Sequence, residues 1–188
     1  MKRAAPRGPG ELPAHLRERL RWVGDRTDPD VRADPTGWWH DGELLAQLGP
    51  ALAELFREAS PTVIVGPQSR GVLLGALVAV HLGVGLVELV KDPCPAADSD
   101  AWLQVTTSPD YRDRQLRLGA RRALLRARER VLFVDDWVAT GAQVEAAHEL
   151  VERSGATWLG AAVVVDGAER SHVRRAVNVR SLLRLRDL

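Results

Sequence analysis

Short unbroken apolar runs alternate along the chain with segments whose apolar positions recur every three or four residues. Thr62-Val63-Ile64-Val65-Gly66, Val84 to Val90, Val131-Leu132-Phe133-Val134, Thr157 to Val165 and Asn178 to Leu185 are of the first kind and predict strands. Helices are predicted over 13–23, with Pro13 at the first turn, and over 42–58, where Leu44, Leu45, Leu48, Leu52, Leu55 and Phe56 fall at helical spacing. Two more are predicted over 71–82 and 142–153. Buried strands separated by helices predict βαβ units, and so an α/β fold with a parallel twisted sheet flanked by helices. Between these elements, residues 24–42 are broken up by Asp, Pro and Gly and read as an irregular loop around Trp38-Trp39. Residues 91–110, with Pro93, Pro95 and Pro109, read as a long loop carrying a strand at Trp102–Thr106. Arg112 to Arg128 reads as a basic helix. In an open parallel sheet, ligands sit beyond the carboxyl ends of the strands, which directs attention to residues 66–71, 91–111, 135–143 and 166–168.

Composition narrows the picture. At 188 residues, with 27% charged and 45% hydrophobic, the chain suits one compact domain with a sizeable core. A single cysteine, Cys94, excludes a disulfide framework and a Cys-rich zinc module and fits a cytoplasmic setting. Residues 1–12 are rich in Pro, Gly and Arg without an apolar stretch behind them, so neither a signal peptide nor a membrane span is expected. The net charge of +1 gives no general pull toward nucleic acid. Locally, Arg112 to Arg130 carries eight arginines against Asp113 and Glu129, which reads either as a field attracting polyanions or as a solvated face. No aromatic residue interleaves those arginines, and no nucleic-acid partner is expected. The histidines at 15, 40, 81, 148 and 172 show no metal-ligand spacing. Only two lysines are present, Lys2 and Lys91, which singles out the second at a strand's end.

The chemistry concentrates in Val131-Leu132-Phe133-Val134-Asp135-Asp136-Trp137-Val138-Ala139-Thr140-Gly141-Ala142-Gln143. A buried strand runs into two adjacent carboxylates, and a small Gly-containing turn then opens a helix. Backbone N–H groups of such a turn, the Thr140 hydroxyl and the helix dipole form a cradle for a phosphate. Carboxylates beside a phosphate site must face something else, such as sugar hydroxyls or Mg²⁺. Together they suit a sugar phosphate.

This stretch resembles the phosphoribosyl-diphosphate (PRPP) signature of the type I phosphoribosyltransferases. Gly66-Pro67-Gln68-Ser69-Arg70-Gly71 is similar to that family's pyrophosphate loop in its adenine-enzyme form, and Val84 to Lys91 to its lysine-ended second strand. Ser108-Pro109-Asp110-Tyr111 is similar to the mobile loop of the adenine enzymes, which resemble the chain most. The likeness covers roughly residues 35 to 188.

The resemblance implies a type I phosphoribosyltransferase-like domain over 31–188, with residues 1–30 as a partly mobile tail and hood segment. It implies Mg²⁺-dependent transfer of phosphoribosyl from PRPP to a nitrogenous base, adenine or an adenine-like purine, with release of pyrophosphate, by a homodimer. Asp135 and Asp136 would hold the ribose hydroxyls and position the metal, partly through water. Ala139, Thr140, Gly141, Ala142 and Gln143 would bind the 5′-phosphate, and Ser69, Arg70, Gly71 and Lys91 the pyrophosphate. Trp137, Trp38 and Trp39 would meet the base, and Asp110 and Tyr111, with Arg70, would serve catalysis. Ala139 stands where 6-oxopurine enzymes carry Asp. Two departures stand out: Ala142-Gln143 replaces Gly-Thr or Lys-Thr, and Trp137 replaces a smaller aliphatic residue. They leave open an enzyme of specialised metabolism acting on another acceptor or a ribosyl phosphate, and a non-catalytic PRPP- or nucleotide-sensing protein. The Trp pair reads equally as a hydrophobic plug or a dimer contact, and Asp110 as a turn former.

Overall fold

The computed structural model describes residues 9–24, 32–93, 99–108, 115–168 and 171–188. At the N-terminal side, helix α1 (Leu12–Arg19) leads into strand β1 (Arg21–Val23), which pairs antiparallel with β2 (Arg32–Asp34). Helices α2 (Thr36–His40) and α3 (Gly42–Glu54) follow. The Asp41 side chain caps α3 by accepting the N–H groups of Glu43 and Leu44. Then come β3 (Val63–Pro67), α4 (Arg70–Leu82), β4 (Gly85–Lys91), β5 (Trp102–Thr106), β6 (Arg117–Arg121), β7 (Arg130–Val138), α5 (Ala142–Ser154), β8 (Thr157–Asp166), α6 (Ser171–Ala176) and β9 (Val179–Arg184).

Among the described residues the main sheet has seven strands in the order β5-β6-β4-β3-β7-β8-β9. Its five strands from β4 to β9 run parallel, as the apolar runs predict. One face, through Val65, Phe133 and Val163, packs on α5 residues such as Leu150. The other, through Ile64, Leu132, Val134 and Val164, packs on α3 and α4 through Leu48, Leu52, Leu74 and Val78. Burial on both faces is why these strands read as continuous apolar runs rather than alternating ones.

The sequence reading needs correction in three places. Arg112 to Arg128 is not a helix among the described residues: β6 and a short 3-10 turn, Arg122–Leu124, occupy its later part. Leu118, Gly119 and Ala120 are buried between exposed Arg117 and Arg121, so a short buried centre is flanked by charged ends. With β5 it forms an antiparallel extension, so the sheet is mixed at that edge. The 24–42 segment contains β2 and α2 rather than irregular chain alone. The N-terminal helix ends at Arg19, with Leu12 and Leu16 buried in the same core as α3 and α4.

Candidate active site

β7 delivers Asp135 and Asp136 at the carboxyl end of the sheet, and both are buried, at 5% and 8% exposure. As successive strand residues they leave opposite sides of β7. Asp136 turns toward the start of α4, where its Oδ2 accepts from Arg70 Nη1 at 2.8 Å. Asp135 accepts the Asp136 backbone N–H on Oδ1 at 2.9 Å and the Gln143 side-chain amide on Oδ2 at 2.7 Å. Burial pushes the Asp135 carboxyl well above its ordinary pKa, and the neighbouring Asp136 charge adds to the rise. The Asp136 N–H and the Lys91 ammonium work in the other direction.

Beyond β7 the chain turns through Ala139, Thr140 and Gly141 into α5. Gly141 adopts φ +92°, the left-handed conformation, and a Cβ there would lie 2.5 Å from Val173 Cγ1. The position therefore needs glycine for both backbone and space. Glu145 N–H donates to the Gly141 carbonyl at 3.0 Å, starting the helix, and Ala142 N–H reaches Thr140 Oγ1 at 3.4 Å. The turn walls a cleft of about 240 Å³ together with Lys91, Thr107, Asp135 and Trp137. A carboxylate, an ammonium and a backbone cradle at a helix start thus share one opening.

On the Asp136 side of β7 lies the loop after β3. Ser69, exposed, stands at the start of α4 with Arg70 and Gly71 after it. Lys91, half-buried, ends β4, and its backbone N–H donates to Gln68 Oε1 at 3.1 Å. Gln68 also donates from Nε2 to Glu88 at 2.8 Å, so this side chain pins the loop to β4. Sequence reasoning gave Gln68 no role, since its two partners lie 20 and 23 residues away.

The structure brings Asp135, Asp136, the turn 139–143, Arg70, Gly71, Ser69 and Lys91 to one end of the sheet. It does not bring Trp38 there. Trp38 is fully buried, its Nε1 donates to the Leu16 carbonyl at 2.8 Å, and its ring meets Trp39 edge-on at 5.8 Å. It plugs the N-terminal segment onto α3, and a side chain without exposed surface cannot stack on an incoming base. Trp39 is half-buried against the same core and does not wall the cleft. Trp137 does wall it, half-buried, with Gly167 so close that a Cβ there would lie 2.8 Å from the indole Nε1. Asp110 and Tyr111 lie outside the described residues.

The donor set fits a hard divalent cation. Two adjacent buried carboxylates carry mutually unfavourable charge that a cation would relieve, and oxygen is the ligand Mg²⁺ prefers. Among the described residues no group of three or more His, Cys, Asp or Glu side chains is placed to hold a metal ion.

Comparisons with known proteins bear on the fold and the family. The sequence is 43% identical over 159 residues to the adenine phosphoribosyltransferase of Synechococcus sp. (strain JA-2-3B'a(2-13)), spanning 80% of this chain and 85% of that protein. It is 36% identical over 163 residues to the adenine phosphoribosyltransferase of Streptomyces coelicolor, spanning 86% and 85%. The fold is similar to the crystal structure of adenine phosphoribosyltransferase from Rhodothermus marinus, with a TM-score of 0.79 and 30% identity over 94% of this chain and 99% of that one. Residues 40–185, which contain the whole sheet and every wall of the cleft, match the phosphoribosyl transferase domain, and the chain belongs to that family of phosphoribosyltransferases.

Proposed function

We propose that the protein transfers the phosphoribosyl group of PRPP to adenine or an adenine-like purine and releases pyrophosphate. The observation that carries this reading is the buried Asp135–Asp136 pair placed directly before a Gly141-containing turn at the start of α5. In the reaction the C1–oxygen bond to pyrophosphate breaks, a C1–nitrogen bond to the base forms, and the base gives up a proton.

Each part of the site has work to do. The turn's N–H groups and the Thr140 hydroxyl hold the 5′-phosphate at the positive end of α5. Asp135 and Asp136 accept hydrogen bonds from the ribose hydroxyls, and their negative charge tolerates the positive charge that develops at C1. Ser69, the Gly71 backbone, Arg70 and Lys91 bind the pyrophosphate and stabilise it as it leaves with growing charge. Arg70 already spans this division, because in the free protein it pairs with Asp136. Mg²⁺, when bound with PRPP, neutralises phosphate charge beside the two acids, which would hold it directly or through water. Trp137 offers its ring at the cleft wall to the acceptor. Asp110 and Tyr111 are proposed, from the sequence resemblance, to handle the acceptor's proton.

The test is a screen of adenine, hypoxanthine and guanine with PRPP, with and without Mg²⁺, following pyrophosphate release. Mg²⁺-dependent turnover with adenine is expected. Efficient use of hypoxanthine or guanine with adenine inert would overturn the acceptor, and no release with any base would overturn the transfer reaction.

A further inference from the structure

At the end of β8, behind the phosphate turn, lies a polar cluster that the reaction described above does not use. Asp166 is 4% exposed and ion-paired with Arg174 Nε of α6. The same guanidinium donates from Nη2 to the Ala168 carbonyl at 3.2 Å, and Ala168 N–H returns to Asp166 Oδ1 at 3.0 Å. Arg174 therefore clamps α6 to the chain that leaves β8 at two points. Next to Arg174 in sequence, Val173 is buried at 1% and is the side chain packed against Gly141. From the other direction, Gly167 N–H donates to the Val138 carbonyl at 2.8 Å, immediately before the turn begins.

These contacts close a ring. It runs from Val138 through the turn to Gly141, across to Val173, along α6 to Arg174, over to Asp166, and through Gly167 back to Val138. A turn that must present several N–H groups toward one anion gains from being held in shape before the anion arrives, because the ordering cost is then met in folding rather than in binding. We propose that Arg174 is a positioning residue for the phosphate turn, acting through Val173 and Asp166 to hold residues 139–141 in their binding shape. The inference rests on the reading of that turn as a phosphate site. Helix α6 has only six residues, so its own backbone hydrogen bonds give little independent stability. Its placement over Gly141 depends on the Arg174 clamp and the burial of Val173.

Two variants separate positioning from simple stability. Arg174→Met removes the clamp while keeping an unbranched side chain. Val173→Ala leaves the ion pair intact and removes the contact on Gly141. Both are compared with Arg174→Lys, which can meet Asp166 but lacks the second donor group for Ala168. The first measurement is amide hydrogen exchange of Gly167 and Glu145 in the ligand-free protein, against Val65 and Val163 in the sheet as references. The second is KM for PRPP and kcat, measured well below each variant's unfolding temperature. Faster exchange at Gly167 and Glu145 with the sheet unchanged is expected. KM should rise about tenfold with kcat altered less than about twofold, as for loss of uniform binding, and Arg174→Lys should fall between. Unchanged exchange at both amides, or a fall in kcat at constant KM, would overturn the proposal. If wild-type protein shows no PRPP turnover while the variants still loosen those two amides, the brace stands and the phosphate reading is what fails.

Discussion

Gln143 donates its side-chain amide to Asp135 across 2.7 Å, so the turn proposed to hold the phosphate is tied to an acid proposed to hold the ribose. The Gln143 side chain is thus engaged inside the protein rather than offered to the anion alone. A hydrogen bond to a buried carboxylate is worth about 1.5–3 kcal/mol. It holds Asp135 in one orientation before substrate arrives. Gln143→Ala is therefore expected to weaken PRPP binding by roughly tenfold or more, measured by calorimetry. Gln143→Thr, too short to span the same gap, should behave more like Ala than like wild type. Tighter PRPP binding by either variant would show that the amide merely occupies the place of a ribose hydroxyl.

The raised pKa of Asp135 makes a statement about stability. The folded chain keeps this proton to higher pH than the unfolded chain does, so the unfolded chain releases it first as pH rises. Stability from this group is full below the ordinary carboxylate range and is lost as pH climbs from there to the raised folded value. Asp135→Asn removes that dependence. Thermal unfolding followed between about pH 4 and pH 8 should give a flatter profile for the variant, with a higher melting temperature than wild type at the neutral end. The same variant should lose PRPP affinity. A profile parallel to that of wild type would contradict the placement of the titrating group.

Much of this architecture is legible in the sequence because its signals are local. Val63 to Val65 and Val131 to Val134 are buried on both faces, so the apolar run itself reports the strand. Asp135, Asp136 and the turn through Gly141 follow one another without interruption, and a contiguous motif needs no knowledge of distant partners. The rest depends on contacts far apart in the chain. β6 hides because Arg117, Arg121 and Arg122 dominate the composition around Leu118 and Ala120, and its pairing partners begin at Val90 and Trp102. Trp38 sits in a stretch whose composition reads as a loop, yet the carbonyl its indole bonds belongs to Leu16, 22 residues earlier. The Arg174 clamp was equally invisible, since nothing in the spacing of Asp166 and Arg174 requires a short helix between them and β9.

Trp38 supplies a direct check on its reassignment from base contact to core. Trp38→Phe keeps an aromatic ring but gives up the indole hydrogen bond to the Leu16 carbonyl, which retains only the Leu20 N–H, a loss of about 0.5–1.5 kcal/mol before the smaller ring's packing loss is added. The melting temperature should fall, and the relative kcat/KM values for different purines should stay as they are. A change of base preference without loss of stability would return Trp38 to the acceptor site.

Acceptor choice depends on Trp137 and the proton-handling pair. Trp137 walls the cleft and is wedged against Gly167, where an added Cβ would come within 2.8 Å of its Nε1. Aromatic stacking contributes about 0.5–1.5 kcal/mol beyond the area buried. Trp137→Leu should therefore lower kcat/KM for adenine by up to roughly tenfold while leaving PRPP affinity nearly unchanged. Gly167→Ala offers a subtler displacement, since it pushes on the same indole without removing it. It should change the ranking of purines in the same direction and by less. Asp110, outside the described residues, is tested separately: Asp110→Asn should cost about 10²–10⁴-fold in kcat if this carboxylate moves the acceptor's proton. The two effects differ in kind, because stacking acts on the bound base whereas proton transfer acts in the chemical step. Trp137→Leu should accordingly show its loss mainly in KM for the base, and Asp110→Asn mainly in kcat. If Trp137→Leu instead raised KM for PRPP and left every purine equally ranked, the indole would belong to the sugar-phosphate side of the cleft.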